Sequence, residues 1–323
     1  MANRHIDNLT HNSIRHLRQA SIALVLPACI SPSEPTQGYS PPPFYHNPEF
    51  LGTQKFRDIQ GEDSFGCGMR IDGSIQCFGA DGNLGRTHPP AGHYSEMDLS
   101  HTGGCARKED RRWTCWGFKA GSEDWLFGGS QWPTSPIHSL DLGSLGACAL
   151  LSSGSPVCWG EEPWNKLPPG PYSDIEVSNS GLSFCAIRSD TRMVECMSYD
   201  GPVREKYQLS GAYTHISWEG DLLAGLRVDG EVVVVGDNRS GIQVPPMTGI
   251  GYQSLEVHRS SAYVLTDSGN VEIFPEPLRS GKMYSVPQWT YVQVAALSGG
   301  FCARSDTGQV ACAGWLDWIP EAL

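Results

Sequence analysis

The stretch Cys148–Gly160, CALLSSGSPVCWG, places two cysteines ten positions apart around a Ser153-Gly154 turn pair. Short, apolar-rich arms flank this pair, and a three-residue loop with a left-handed glycine folds such a sequence into a β-hairpin. In that hairpin Cys148 lies directly opposite Cys158, at the short end of the distance that a disulfide can span. The stretch therefore predicts a small hairpin that a disulfide closes from within.

The same unit recurs along the chain at steps of 37 to 43 residues. Two copies keep the frame without cysteines, with Ala224 and Val234 in one and Tyr263 and Ile273 in the other. The remaining copies each carry a cysteine pair, which we expect to be oxidised: Cys67 and Cys77, Cys105 and Cys115, Cys148 and Cys158, Cys185 and Cys196, Cys302 and Cys312.

A second marker follows the same period and precedes each hairpin. It is an aromatic residue or Ile, two further residues, and then an apolar residue, and it occurs at Phe56–Ile59, Tyr94–Met97, Ile137–Leu140, Tyr172–Ile175, Tyr213–Ile216, Tyr252–Leu255 and Tyr291–Val294. Two independent markers in one register are a strong repeat signal. Three or four strands every 39 or so residues are typical of a propeller blade. We predict an all-β, seven-bladed β-propeller over residues 56–323, with disulfides inside its hairpins.

Charge and cysteine content narrow the possible functions. The formal net charge is −12, which argues against a nucleic-acid partner because phosphate binding needs clustered Lys and Arg. Ten paired cysteines are typical of an oxidising compartment. Helical hairpins with similar cysteine spacing and zinc sites are the alternatives, but glycine at the turns and β-branched alternation disfavour the first. Zinc sites need closer ligand spacing. We expect no metal, no cofactor and a monomer.

The N-terminal residues predict export. Residues 1–28 combine Arg4, Arg15 and Arg18 with a short apolar run, as a secretory signal does. Leu26-Pro27-Ala28-Cys29 resembles a bacterial lipobox, so we expect lipid attachment at Cys29 and location at a cell envelope. The alternative is ordinary cleavage that leaves Cys29 as a free thiol in a secreted chain. Residues 29–55 are Pro- and Ser-rich and read as a tether, with a possible closing segment before the first blade.

The repeated phrase C-A-x-x-x-x-G-x-V-x-C-W-G, with its preceding [FY]-x-x-[IV] strand, resembles the RCC1-like (regulator of chromosome condensation) family in its short, secreted bacterial form. The resemblance covers residues 56–320 and is best at Cys148–Gly160 and Cys302–Gly314. It departs from the family where a histidine often precedes the first cysteine, and the Gly-Gln-Leu-Gly phrase is mostly lost. The resemblance implies a seven-bladed propeller. Relatives include a nucleotide-exchange factor and an inhibitor that covers β-lactamase active sites with one propeller face.

Two sets of loop residues are candidates for a site. The loops between the first strand and the hairpin form a polar rim in which carboxylates and histidines can bind an ion or exchange protons; solvated loop residues are the alternative. This rim comprises Glu62, Asp63, His101, Asn179, Glu219, Asp221, His258 and Arg259. The variable loops after each third strand carry aromatic residues that suit a partner face, unless they pack over blade edges. These are Trp125, Phe127, Trp132, Trp164, Tyr207, Trp315 and Trp318.

The sequence contains no phosphate loop, G-x-S-x-G or H-E-x-x-H motif. We therefore expect a non-enzymatic binding module that holds an unknown protein or glycan and contacts a membrane only through its lipid. One alternative is a propeller lyase or hydrolase that uses His101, His258 and Glu219. The other is a guanine-nucleotide exchange factor, against which the signal, the disulfides and the charge all argue.

Overall fold

The computed structural model describes residues 54–82, 84–117, 132–160, 168–198, 201–202, 207–220, 222–236, 238, 241–245, 251–259, 261–275 and 286–314. Within these ranges the chain forms seven separate antiparallel sheets, one for each repeat. The all-β propeller with hairpin disulfides is confirmed. None of the described residues forms a helix of the length and hydropathy that a membrane span requires.

Each sheet contains three consecutive strands, and the fourth sheet adds a short outer strand. Blade 1 comprises β1 (Phe56–Glu62), β2 (Phe65–Arg70) and β3 (Ile75–Gly79); blade 2 comprises β4 (Tyr94–Ser100), β5 (Gly103–Lys108) and β6 (Trp113–Gly117); and blade 3 comprises β7 (Ile137–Leu142), β8 (Gly146–Leu151) and β9 (Pro156–Gly160). Blade 4 comprises β10 (Tyr172–Val177), β11 (Ser183–Arg188), β12 (Val194–Ser198) and β13 (Gly201–Pro202). Blades 5 to 7 comprise β14 (Tyr213–Glu219), β15 (Leu222–Arg227), β16 (Val232–Gly236), β17 (Tyr252–His258), β18 (Ser261–Thr266), β19 (Val271–Phe274), β20 (Tyr291–Leu297), β21 (Gly300–Ser305) and β22 (Val310–Gly314).

The predicted hairpins have the expected register. Cys148 pairs with Cys158 across β8 and β9, and the other four cysteine pairs occupy the same place in their blades. All five pairs are disulfides with Cα atoms 4.0 Å apart. The hairpins of blades 2 and 4 lack a tip glycine. There Arg111 and Arg192 adopt positive φ angles of 67° and 60°, as the tip glycine does in the other hairpins.

A bulge explains the three-residue spacing of the second marker. In a regular strand, residues three apart point to opposite faces. In all seven first strands the register shifts directly after the marker's first residue, so that one extra residue is accommodated. Tyr94 and Met97 consequently enter the same hydrophobic cluster, and the corresponding pairs of the other blades do likewise.

The hydrophobic core lies between blades. Tyr94 and Met97 of blade 2 pack against Phe65 and Met69 of blade 1, and the other clusters repeat this arrangement around the ring. The Pro-containing phrases before the first strands add a polar contact. The hydroxyl of Tyr94, for example, donates to the carbonyl of Pro90 at 2.9 Å, and similar bonds join Tyr252 to Pro245 and Tyr291 to Pro287.

The ring closes by a contact that also joins four other pairs of neighbouring blades in the described residues. At these junctions the backbone amide at the start of a first strand donates to the hairpin-tip carbonyl of the preceding blade, as Tyr172 does to Gly154 at 2.8 Å. The closing bond runs from the Phe56 amide to the Gly308 carbonyl, also 2.8 Å. Phe56 and Ile59 further pack against Leu297 of blade 7. Gln54 and Lys55, the described end of the predicted closing segment, form no strand.

Candidate functional site: the central channel and its mouth

The first strands of all seven blades line a central cavity of about 400 Å³. No strand pairs with the edge of each first strand that faces the axis. The backbone amides along this edge, and the side chains beside it, are therefore accessible from the cavity. Side chains two, four and six positions after the first residue of the second marker lie on the same side of the strand. They form three successive levels, which we call the lower tier, the middle tier and the mouth. The mouth also includes the loop residues that follow the first strands.

The middle tier is the most acidic of the three levels. Every blade contributes one lining residue to it: Gln60, Asp98, Asp141, Glu176, Ser217, Glu256 and Ala295. The lining residues of the lower tier include Asp174, His215 and Gln293. Among the described residues that line the cavity, seven are carboxylates and none is Lys or Arg.

Some middle-tier side chains satisfy the free amides of the next blade. Asp141 Oδ2 accepts a hydrogen bond from the Val177 amide of blade 4. Ser217 Oγ accepts from the Val257 amide of blade 6 at 3.0 Å, and Ser217 also donates to Glu256 at 3.3 Å. These side chains therefore join adjacent first strands at the place where no strand pairing is available.

Burial changes the charge state of the middle tier, because it penalises the ionised form of a carboxyl group. Burial raises the pKa of Asp141 to about 8, in spite of the hydrogen bond from Val177. The pKa values of Asp98 and Glu176 are also raised well above their usual range, first by burial and then by neighbouring carboxylates such as Asp141. Asp141 is therefore mostly protonated at neutral pH.

At the mouth, loop residues that are far apart in sequence come together. Asn179 Nδ2 donates to Glu62 Oε1 at 2.7 Å and to Glu219 Oε2 at 2.9 Å, so it links blades 1, 4 and 5. His258 Nε2 of blade 6 lies 3.8 Å from Glu219 Oε1. The Asn179 amide thus bridges two carboxylates that would otherwise repel each other.

Asp63 organises the outer part of the mouth. It forms an ion pair with Arg259 of blade 6, and His101 Nδ1 of blade 2 lies 3.7 Å from Asp63 Oδ2. The Asp63 carbonyl accepts a hydrogen bond from the Ser298 amide of blade 7 at 2.5 Å. The side chains of Arg259 and His101 are 63% and 45% exposed, so both are available to a partner.

The inner mouth contains a neutral histidine beside weakly acidic carboxyl groups. Burial lowers the pKa of His258 to about 4. Burial, reinforced by Glu219 and Asp63, raises the pKa of Glu62 well above its usual range. Burial also raises the pKa of Glu219, although the hydrogen bond from Asn179 opposes the shift. Such groups can exchange protons or hold a cation. No set of three or more His, Cys, Asp or Glu in the described ranges has metal-binding geometry.

The structure brings together the polar rim residues that it describes: Glu62, Asp63, His101, Asn179, Glu219, His258 and Arg259. Asp221 lies outside the described residues. Their role in binding stays a prediction. The middle tier was not predicted from the sequence, although one signal was present: most repeats have a polar residue four positions after the first residue of the second marker.

Of the predicted aromatic face, only Trp132 and Tyr207 lie among the described residues. Trp132 is partly buried between Trp113 and Trp159, with ring centroids 6.5 and 5.1 Å away. Tyr207 packs on Trp218, at 5.3 Å between ring centroids. Each ring thus packs on aromatic side chains of the blades, and its role in binding a partner stays a prediction. The remaining members fall outside the described ranges: Trp125, Phe127, Trp164, Trp315 and Trp318. Cys29 also falls outside these ranges.

No protein-family model and no curated protein sequence matches the chain, whereas its fold matches solved propellers. The CRINKLY WD40 ectodomain of the Arabidopsis thaliana receptor kinase ACR4 is 16% identical, with a TM-score of 0.62 over 83% of this chain and 98% of that one. Human WBSCR16 is 12% identical, with a TM-score of 0.58 over 81% and 87% of the two chains. The ectodomain of the Physcomitrella patens receptor kinase CR4 is 17% identical, with a TM-score of 0.54 over 82% and 85%. At these identities the similarity shows the β-propeller fold.

Proposed function

We propose that this chain is a non-enzymatic binding module that holds a protein or glycan against the mouth of its channel. The observation that carries the proposal is the convergence of mouth side chains from blades 1, 2, 4, 5 and 6 into one connected group. Its outer members, Asp63, His101 and Arg259, offer both charge signs, and two of the three are substantially exposed. Loops on a rigid scaffold are where binding residues concentrate.

The sequence adds an expected family and location to this proposed function. We regard the chain as an exported, RCC1-like propeller that is tethered at a bacterial envelope through Cys29. Five hairpin disulfides support a location outside the reducing cytosol. The repeated cysteine and Trp-Gly phrases support the family, and the tether would leave the propeller free to present its mouth.

The test is a quantitative capture experiment from envelope extract, together with a glycan array, using the full chain. Wild type is compared with the double variant Arg259→Ala/His101→Ala, which removes the exposed mouth side chains. Arg112→Ala serves as the matched control, because Arg112 is an 81% exposed arginine on the hairpin of blade 2. We expect a small set of ligands that wild type and Arg112→Ala retain and that the mouth variant loses, by about tenfold or more in affinity.

A third variant, Trp125→Ala/Trp164→Ala, separates the two candidate faces. If this variant loses the ligands while the mouth variant keeps them, the assignment of the face is wrong. If every chain recovers only background and the array is blank, the binding-module proposal itself is overturned.

A further inference from the structure

The central cavity has a charge imbalance that its own side chains do not correct. Seven carboxyl groups line about 400 Å³, and the described lining residues include no Lys or Arg. The carboxyl groups belong to Glu62, Asp98, Asp141, Asp174, Glu176, Glu219 and Glu256. Carboxylates at this density repel one another, and burial raises the cost of ionising them. A cation inside the cavity would relieve both penalties.

Unpartnered polar atoms within the lining point independently to a ligand. His258 is only 6% exposed, and its Nε2 has no hydrogen-bond partner among the described residues. The nearest carboxylate oxygen, Glu219 Oε1 at 3.8 Å, is beyond hydrogen-bonding distance. Buried Asp98 Oδ2 and His215 Nε2 are also without a partner in the described ranges. Such groups are rare in folded proteins because leaving them unsatisfied is costly.

The unpartnered atoms lie on different levels of the cavity. His215 belongs to the lower tier, Asp98 to the middle tier and His258 to the mouth. The lower tier and the mouth are four residues apart along each first strand, which corresponds to a distance of roughly 13 Å. A ligand that satisfies all three levels must therefore extend along the channel axis.

The positions of the carboxyl groups indicate which kind of cation the cavity fits. A dehydrated metal ion needs several oxygen ligands converging at about 2.0–2.6 Å, and the described residues contain no such convergent set of three. A flexible chain with several ammonium groups instead places one charge at each level and donates hydrogen bonds to each. We propose that the central cavity binds a linear polyamine along its axis, held by the middle-tier carboxylates Asp98, Glu176 and Glu256 and by Glu219 and His258 at the mouth.

The interaction is charge-assisted and desolvated, which is the setting in which ammonium–carboxylate contacts are strongest. Polyamine binding does not depend on the protein or glycan partner proposed above. It uses the interior of the channel and the inner mouth residues Glu219 and His258, whereas the partner is assigned to Asp63, His101 and Arg259 on the outside of the mouth. The two proposals can therefore fail separately.

The test is calorimetric titration of the purified full chain with spermidine at pH 8. About 0.15 M salt is present, because salt screens the charges on the protein surface. We expect saturable binding of one spermidine per chain. Asp98→Asn and Glu176→Gln, each close in shape to the native residue, should weaken binding about tenfold, because each replaces a carboxyl group that ionises when an ammonium group binds beside it by an amide that cannot ionise. Glu109→Gln, on the exposed hairpin of blade 2, removes the same charge from the surface and should change affinity less than about twofold.

Separate titrations with Ca²⁺ alone and Mg²⁺ alone examine the other kind of cation. Saturable metal binding without spermidine binding would overturn the proposal in favour of a hydrated metal site. Equal weakening by Glu109→Gln would show a diffuse electrostatic effect and no channel site. Circular dichroism confirms that each variant is folded; if the channel variants do not fold, the wild-type titration decides, because the absence of a one-to-one isotherm refutes the proposal.

Discussion

At the scale of single residues, the middle tier shows how a carboxylate can be both useful and costly. Asp141 joins blade 3 to blade 4 by accepting from the Val177 amide, which would otherwise be an unsatisfied donor at the edge of β10. The cost is burial of an ionisable group beside other carboxylates. An amide side chain of the same shape would keep the acceptor and remove the charge.

The burial of the Asp141 carboxyl group predicts a pH-dependent effect of Asp141→Asn on stability. The pKa of Asp141 is about 8 in the folded state and about 3.9 in an unfolded chain. A carboxyl group with a raised folded pKa contributes stability that is complete below the unfolded pKa and is lost as the pH rises towards the folded pKa. Wild type should therefore lose stability between pH 4 and 8, whereas the asparagine side chain of the variant does not titrate. We expect the stability of D141N relative to wild type to increase by at least about 1 kcal/mol between pH 5 and pH 8.

Urea unfolding at pH 5 and pH 8 measures this difference. Asp190→Asn is the control, because Asp190 is paired with Arg188 and has a pKa lowered to about 2. Its charge is therefore constant between pH 5 and 8, and its effect on stability should not change over that interval. A D141N variant that loses stability on going from pH 5 to pH 8 as steeply as wild type would contradict the assignment.

The middle tier also marks the limit of prediction at this scale. The alternation of polar and apolar residues in Tyr172–Val177 correctly indicates a strand with two faces. In most antiparallel sheets the polar face is solvated, so Glu176 and Asp174 gave no sign of being buried. Only the arrangement of seven strands around one axis turns that polar face inward. The mouth was easier to predict, because its residues follow the first strands at a constant place in each repeat.

At the scale of the element, each hairpin keeps its strand register with or without a disulfide. The disulfide adds stability but is not required for the fold. Blades 5 and 6 keep the register with Ala224 opposite Val234 and Tyr263 opposite Ile273. These residues fill the place of the sulphur atoms with hydrocarbon. The sequence predicted this equivalence from spacing alone, since the turn residues determine which positions face each other. The sequence did not predict the bulge in the first strands, because the same residues also fit a regular strand. The bulge becomes necessary only when the aromatic and the apolar residue of the second marker must enter the same hydrophobic cluster.

The equivalence predicts that a sixth disulfide can be introduced. The double substitution Ala224→Cys/Val234→Cys places two cysteines directly opposite each other on β15 and β16. Closing a loop of about eleven residues stabilises the fold by up to about 2.5–3 kcal/mol, and by less where the hairpin is already formed in the unfolded chain. We expect spontaneous oxidation and a higher melting temperature than wild type without reducing agent.

Mass spectrometry of the intact chain under non-reducing conditions detects the added bond, and melting curves show its effect. The control is Ala224→Cys/Val233→Cys, in which Val233 is paired with Gly225 instead and points to the other face of the strand. This variant should keep both introduced thiols free and gain no stability. A disulfide in the control, or none in the test variant, would show that the register differs from the one described.

At the scale of the whole molecule, the question is how a ring of similar blades closes. Some closed folds use an exchanged strand, but here the described residues place the last blade against the first with the ordinary junction contact. The Phe56 amide donates to Gly308 as the Tyr94 amide donates to Gly73. The sequence indicates seven blades but does not identify this junction, because Phe56 and Gly308 look like any other marker and tip.

Three tip glycines with nearly the same backbone conformation allow the closing junction to be tested. Gly308, Gly73 and Gly230 have φ of 85°, 86° and 87°, so alanine at each carries a similar left-handed strain of about 1–2 kcal/mol. They differ in their surroundings. A Cβ at Gly308 would lie 2.9 Å from the Phe56 carbonyl oxygen and one at Gly73 2.9 Å from the Tyr94 carbonyl oxygen, whereas one at Gly230 meets nothing within 4 Å.

We therefore expect Gly308→Ala and Gly73→Ala to reduce the free energy of unfolding equally, and each by at least about 1 kcal/mol more than Gly230→Ala. The additional cost arises because the new methyl group pushes the first strand away from the preceding tip and weakens the bond between the two blades. Denaturant unfolding of the three variants measures the differences. Equal effects of Gly308→Ala and Gly230→Ala would show that the closing bond contributes nothing to stability. A much larger effect of Gly308→Ala than of Gly73→Ala would show that the ring depends on its closing junction more than on the junctions within it.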